Sequence, residues 1–284
     1  MGGEIVMKSA VLGLLAETSL HPGMGQVVGV VDLPVAREKS TDYPVIVSSS
    51  LKGSLRDRAE QLWGIDDEKV ERIFGGPDNA GSLLVTDARL LLLPVRSLQG
   101  HYRWVTCPYL LERLQRDLQL AGMMESFAIL RPENGEAVTV QGQGSLFLEE
   151  LSFRVRAEGD ELSDLINTLK PFTRHDALKD RLQAGLAIIC DDEFAYFARY
   201  GLAVNARNVL DNETRTSENL WYEETIPPDT LFYALLFARD KRESDLEEVK
   251  GIFSDRPYLQ VGGNETIGQG WCAVSWITDG GEQL

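Results

Sequence analysis

Apolar positions along this chain follow two rhythms, and the switches between them mark out its elements. A seven-residue apolar run, Ala10 to Ala16, reads as a buried strand within residues 4–17, and a loop rich in glycine and proline follows over 19–44. Leu51, Leu55, Ala59 and Leu62 then recur at helical spacing, with Ser49 or Ser50 able to cap that helix and Gly64 to end it. Lys52 and Arg56, four residues apart, share a second face of it. The turn Gly75-Gly76-Pro77 precedes strands near 82–97. Leu110, Leu111, Leu114 and Leu118 make 109–120 an amphipathic helix. Residues 123–144 look irregular around a turn at 131–135, and strands at 145–156 follow. Helices near 161–169 and 174–182 come next, then strands near 194–210 and 221–238, and a short helix over 244–253. In the last strand, Trp271–Ile277, both alternating faces are largely apolar, as expected of a strand covered on both sides. Strands interspersed with helices predict an α+β domain on a β-α-β-β-α-β core, the arrangement of RRM-like folds. Periodicity by itself does not rank that core above other α+β topologies.

Composition narrows the class. The chain has 284 residues, 43% hydrophobic and 25% charged, proportions of an ordinary globular protein with length for one large domain and a sizeable core. The start lacks a basic region and a small-residue cleavage pattern, so it reads as a strand and not as a signal peptide. The richest later run, Arg89–Val95, falls far short of the ~20 residues of a membrane span. No membrane association is expected. Cys107, Cys190 and Cys272 are widely separated, with no metal-binding spacing, which fits small core residues in a reducing, cytoplasmic setting.

Charge argues against a non-specific polyanion binder. The net charge is −16, and it is uneven. Residues 1–142 carry 14 basic and 18 acidic side chains, or −4, whereas residues 143–284 carry 14 and 26, or −12. A locally basic groove on an acidic body remains open.

Four stretches could carry chemistry. In the first, over 18–38, glycines at 23, 25 and 29 let a backbone pass close to a ligand, and His21 and Asp32 flank them. A carboxylate beside an RNA backbone can hold a divalent cation or help remove a 2′-hydroxyl proton. Asp32 could equally cap turn N–H groups, and His21 could be an ordinary hydrogen-bonded histidine. The second is the serine-rich helix start with Ser49, Ser50, Lys52 and Arg56, suited to a phosphate or simply a solvated surface helix. The third, Val261–Trp271, has four glycines leading into a strand, which could lie against a nucleic-acid backbone or form a hairpin loop. The fourth, residues 205–225, has two strand-like arms around a polar tip at 211–215. Its Glu223 and Glu224 point to opposite faces in a strand, so at most one would join a site. His175-Asp176 suggests a metal phosphohydrolase, but three histidines in the whole chain leave such a site short of ligands.

Taken in order, HPGMG, VVDLPVARE, YPVIVSSSLKGSLRD and GGNETIGQGW closely resemble the RAMP superfamily, and within it the repeated backbone subunit of type III-B (Cmr) CRISPR effector complexes. The resemblance spans the first 60 residues, the hairpin near 205–225 and the glycine-rich end, while 98–200 is not aligned. It implies a modified RRM-like (ferredoxin-like) palm over 1–284, a thumb hairpin at about 203–225 and an insertion at about 98–150 of uncertain structure. Copies of such a subunit, with other RAMP subunits, would stack along a guide (CRISPR) RNA. Each thumb would interrupt the guide–target duplex, and bound single-stranded target RNA would be cut at each interruption, with magnesium or manganese, leaving a cyclic phosphate. Asp32 matches the catalytic and metal-holding aspartate, His21 the nearby histidine, and Glu223 or Glu224 the acidic position at the thumb base. Ser49, Ser50, Lys52 and Arg56 match the guide-binding helix. Gly262, Gly263, Asn205 and Arg207 complete the candidate RNA contacts. The alternative is a non-catalytic RNA-binding scaffold in the same kind of complex. A guide-processing ribonuclease acting alone is disfavoured by the VVDLPVARE block and the hairpin. The catalytic reading expects Asp32 in an exposed loop on the face that carries Lys52 and Arg56, not packed as a helix cap.

Overall fold

A computed structural model describes residues 8–23, 25, 31–123, 127–211, 213–214, 216–239 and 242–279. Gly29 of the first loop, and Asn212 and Arg215 of the hairpin tip, lie outside the described residues. In chain order the strands and helices are β1 (Ser9–Ala16), β2 (Val45–Ile46), α1 (Ser48–Trp63), α2 (Glu68–Phe74), β3 (Leu83–Val85), β4 (Ala88–Arg96), β5 (Tyr102–Thr106) and α3 (Pro108–Leu120). There follow β6 (Glu136–Thr139), β7 (Ser145–Leu148), β8 (Leu151–Ala157), α4 (Gly159–Leu169), α5 (Asp176–Gly185), β9 (Leu186–Ile188) and α6 (Asp191–Tyr200). The chain closes with β10 (Ala203–Leu210), β11 (Ser217–Thr225), β12 (Leu231–Ala238), α7 (Glu243–Gly251), β13 (Tyr258–Gln260) and β14 (Trp271–Ile277).

Four of these strands make the expected core. β14, β1, β12 and β4 lie side by side in that order, and every pair is antiparallel. With α1 after β1 and α7 after β12, this is a β-α-β-β-α-β palm. Alternation decides which side chains go where. On one face Leu12, Leu14, Phe232, Ala234 and Leu236 pack with Leu51, Leu55 and Ala59 of α1. On the other, Val11, Leu15, Tyr233 and Leu235 meet α3 and α4. Covering both faces is why these strands read as continuous apolar runs.

Several local expectations are corrected. The stripe on α1 closes on Trp63, which packs against the core, whereas Leu62 is 49% exposed. Leu51, Leu55, Ala59 and Trp63 form one i+4 row, and that ridge is what the sheet receives. Neither Ser49 nor Ser50 caps the helix. Val47 is the N-cap residue, and the Asp87 carboxylate accepts the Ser48 N–H at 2.7 Å. Gly64 does end it, at φ 101°. The 98–150 stretch, expected as an insertion of uncertain structure, falls between β4 and β12 of the palm and adds strands to the sheet. β5 pairs with β4 and β9, and β6 joins β9 to β8, although 136–139 was expected to be irregular. Residues 194–200, expected as strand, are helix α6. Phe194, Phe197 and Ala198 are buried at i, i+3 and i+4, and Asp191, Asp192 and Glu193 fill the first turn.

β10 and β11 stand apart as a two-stranded ribbon whose outer residues are exposed. A ribbon of this length gains little stability alone. Its base is therefore where it must be anchored, and the candidate site lies there.

Candidate functional site

The anchor is a short piece of backbone. Leu33 N–H donates to the Tyr222 carbonyl at 3.1 Å, and Glu224 N–H donates to the Leu33 carbonyl at 3.0 Å. The residues around Leu33 thus run parallel to the base of β11. A second attachment, between Leu20 and Ile226, is antiparallel, with bonds of 3.0 and 2.9 Å. Leu20 and Leu33, on the two described sides of this loop, are thus both tied to the hairpin base.

Asp32 sits at the outside of this arrangement. It is exposed, and its Oδ2 accepts the Tyr222 N–H at 2.8 Å. Its other carboxylate oxygen takes no hydrogen bond from the described residues. Asp32 is no helix cap, as the catalytic reading expects. Lys52 and Arg56 do not flank it. Lys52 Nζ donates to the Leu83 carbonyl at 3.1 Å, and Leu83 pairs with Ala238 at the far end of β12. Exposed Ser49 and partly buried Ser50 lie on the same helix.

Behind Asp32 two carboxylates are buried and occupied. As adjacent strand residues, Glu223 and Glu224 take separate partners. Glu224 Oε1 accepts Arg37 Nη2 at 2.6 Å, and Oε2 accepts the Val35 N–H at 3.1 Å. Arg37 also donates to the carbonyls of Asp42 and Ala198, each at 2.8 Å. This pair clamps the segment after Asp32 to β11 on one side and to α6 on the other. Glu223 is 3% exposed, lies 3.4 Å from Arg207 Nε and accepts a short hydrogen bond from Asn264 Nδ2. Both glutamates, expected as candidates for the acidic position at the thumb base, are buried and bonded to protein groups, an arrangement that supports the loop. A buried carboxylate that gains a guanidinium cannot leave it cheaply.

His21 belongs to the same support. It is 8% exposed, its Nδ1 lies 2.8 Å from the Glu224 carbonyl oxygen and its Glu223 Oε1 contact is 3.9 Å. A carbonyl can only accept, so Nδ1 carries the proton. The glycine-rich end wraps this histidine. Gly263 N–H donates to the His21 carbonyl at 3.0 Å. At Gly262, φ is +82° and a Cβ would fall 2.6 Å from that carbonyl oxygen, so glycine is required there. Gly262, partly buried, and Gly263, exposed, both expected as RNA contacts, lie against the His21 main chain. Asn205 is exposed, pairs across the ribbon with Glu223 and bonds Thr225 Oγ1 at 3.1 Å.

Among the described residues no group of three His, Cys, Asp or Glu side chains could hold a metal ion. His175 does not change this, since its Nε2 lies 2.6 Å from Glu17 while Asp176 pairs with Lys179. Two residues escaped sequence reasoning. Arg37 stood inside the VVDLPVARE block without a role, and Asn264 lay between glycines whose conformation drew the attention.

The RAMP superfamily model matches residues 14–273. The chain is 38% identical over 288 residues to the CRISPR system Cmr endoribonuclease Cmr4 of Pyrococcus furiosus, covering 95% of this chain and 96% of that one. The crystal structure of oligomeric Cmr4 from Pyrococcus furiosus superposes with a TM-score of 0.78 at 32% identity, over 95% of this chain and 98% of that one. A cryo-EM structure of type III-B Cmr-beta bound to cognate target RNA contains a chain of the same fold, with a TM-score of 0.77 at 22% identity over 94% and 96% of the two chains.

Proposed function

The chain belongs to the RAMP superfamily, and from that premise we propose that it is a guide-RNA-binding backbone subunit of a type III-B CRISPR complex that cleaves bound complementary target RNA at regular intervals. The observation that carries this reading is the likeness to a Cmr endoribonuclease across 95% of the chain, which takes in the thumb, the loop and the glycine-rich end together. Its partners are guide RNA, target RNA, further copies of itself and other subunits of the complex. Among the described residues no helix is long and apolar enough to cross a membrane. We place the protein in the cytoplasm.

The site divides the labour. Asp32 is the carboxylate that faces outward, at the base of the hairpin where a displaced target nucleotide would lie. Its role is to accept or position the 2′-hydroxyl proton as that oxygen attacks the neighbouring phosphate. Glu224 with Arg37, and Glu223 with Asn264 and Arg207, hold the loop and the hairpin base at one fixed separation. His21 locks the two together through the Glu224 carbonyl. The ribbon projects beyond them as the wedge between successive duplex segments.

A magnesium or manganese ion would be held by Asp32 together with RNA phosphate oxygens, since one carboxylate of this chain is too few donors for a complete shell. When bound, it stabilises charge developing on the phosphate. The test is cleavage of a guide-complementary RNA by the reconstituted complex, wild type against Asp32→Ala, with and without each metal. The expected result is no cleavage by Asp32→Ala with guide and target binding near wild type. Continued cutting at the same positions removes Asp32 from catalysis and favours the scaffold reading.

A further inference from the structure

The pairing at the thumb base puts an aromatic ring beside Asp32. Leu33 bridges Glu223 in parallel, and partners across a ladder project their side chains to one face. One residue back on each segment, Asp32 and Tyr222 therefore share the opposite face. The Asp32 carboxylate accepts the Tyr222 N–H at 2.8 Å, so the ring springs from the residue that holds the carboxylate.

That face of the ribbon is open from Tyr222 outward. Tyr222 pairs across β10 with Ala206, whose methyl group is too small to cover a ring. Val204, Leu220 and Tyr222, all on this face, are exposed. Towards the palm the face is closed, because Glu224 is buried against Arg37. The other face is different in kind. It carries Asn205, Arg207, Trp221 and Glu223, with Trp221 partly buried and Glu223 bonded to Asn264. The ring nearest the Asp32 carboxylate is thus an uncovered one, bordered by a small residue on one side and by the carboxylate on the other.

A nucleotide pushed out of a duplex loses its stacking neighbours, and an aromatic side chain replaces one of them. Such stacking accepts any base, since each has a π-face. It also confines the attached ribose, which matters where one hydroxyl must meet one carboxylate. We propose that Tyr222 is the stacking platform for the displaced target nucleotide and positions its 2′-hydroxyl at Asp32. The inference rests on the cleavage reading given above and names the residue that holds the substrate there. Tyr222 acts through its π-face and moves no proton.

The experiment uses the reconstituted complex and a complementary target carrying 2-aminopurine, whose fluorescence is quenched by stacking, at the nucleotide 5′ of a mapped cut. A 2′-deoxyribose at that nucleotide keeps the strand whole during the fluorescence measurement, and the ordinary ribose target gives single-turnover rates. Wild type, Tyr222→Ala, Tyr222→Phe and Leu220→Ala are compared. Both residues are exposed, and thermal unfolding verifies that each variant folds. The main-chain bonds from Tyr222 to Asp32 and Leu33 are available in all of them. The expected result is a quenched signal in wild type and Tyr222→Phe, and a several-fold brighter one in Tyr222→Ala. Cleavage by Tyr222→Ala should be slower by about tenfold at saturating target, with Tyr222→Phe near wild type. Leu220→Ala, farther out on the same face, should leave both quantities unchanged. A bright wild type overturns the platform, as does a Tyr222→Ala that stays quenched or cuts at the wild-type rate. An equal loss in Leu220→Ala also overturns it, by marking a general effect of the ribbon face. Asp32→Ala keeps the ring, so it should stay quenched while losing cleavage. If Asp32→Ala still cuts, the catalytic reading of Asp32 falls, and the Tyr222 variants still decide the platform.

Discussion

Replacing Arg37 with alanine tests the central structural claim, that a buried ion pair holds the Asp32 loop against the thumb. Arg37 is 15% exposed in its side chain and Glu224 is 9% exposed, so solvent screens the pair only weakly. Arg37→Ala removes the 2.6 Å contact to Glu224 and the bonds to the Asp42 and Ala198 carbonyls. It leaves Glu224 buried with only the Val35 N–H. Breaking such a pair from one side costs about 3–5 kcal/mol. The residual exposure of Arg37 puts the expected cost near the lower end, about 3 kcal/mol. At ~2–4 °C per kcal/mol for a large domain, Tm should fall by about 6–12 °C. Glu224→Gln keeps an acceptor for Val35 and should fall less. The double variant should be far from additive, because both changes strike one interaction. Val35 is three residues from Asp32, so a loosened clamp displaces the loop, and a shift of about 1 Å at a reacting group can cost ~100-fold in rate. Thermal unfolding of the subunit and single-turnover cleavage by the assembled complex measure the two effects. A Tm within 2 °C of wild type, or additive losses, would show that the pair is not the clamp. An unchanged cleavage rate in a destabilised variant would separate the clamp from catalysis.

Four further outcomes are expected. Gly262→Ala places a Cβ against the His21 carbonyl at a φ of +82°, a conformation that costs a side chain about 1–2 kcal/mol. It should lower Tm and slow cleavage more than it weakens guide binding, and cleavage and binding assays on one preparation decide this. At the thumb tip the Asp211 carboxylate accepts from Glu213 N–H, Thr214 N–H and Thr214 Oγ1. Replacing the tip with a two-residue turn should blur the spacing of cleavage products on a sequencing gel, and regular products would count against a wedge. Of the three thiols Cys190 alone is partly exposed, so it should react first with an alkylating reagent, slowly, because burial raises its pKa. Burial pushes Cys272 up to about 12. Above the ordinary thiol range the unfolded chain therefore releases a proton that the folded chain keeps, and stability should fall as pH rises there, a trend that denaturant midpoints would follow.

Much of the fold was legible because its signals are local. The 3.6-residue spacing of Leu51, Leu55 and Ala59, the turn at Gly64 and the apolar Trp271–Ile277 strand each appear where the sequence places them. The misreadings arise where local signals are ambiguous. The Phe-Ala-Tyr-Phe-Ala run of α6 is compatible with either period until Asp191, Asp192 and Glu193 are weighed as a helix start. β6 is four residues long, too short for a period to show.

By itself the sequence determined the class of protein. Ordered motifs, a hairpin and a glycine-rich end specified the RAMP relationship, and that resemblance, with no help from residue spacing, implied Asp32 as the outward carboxylate of a loop. The tertiary structure alone decided what surrounds that aspartate. Arg37 and Glu224 are 187 positions apart, Glu223 and Asn264 are 41 apart, and Lys52 meets Arg239 only because α1 lies across the end of β12. Charges buried at such separations leave no periodic trace. Their pairing is a consequence of which strands become neighbours, and that is settled when the sheet buries its two faces.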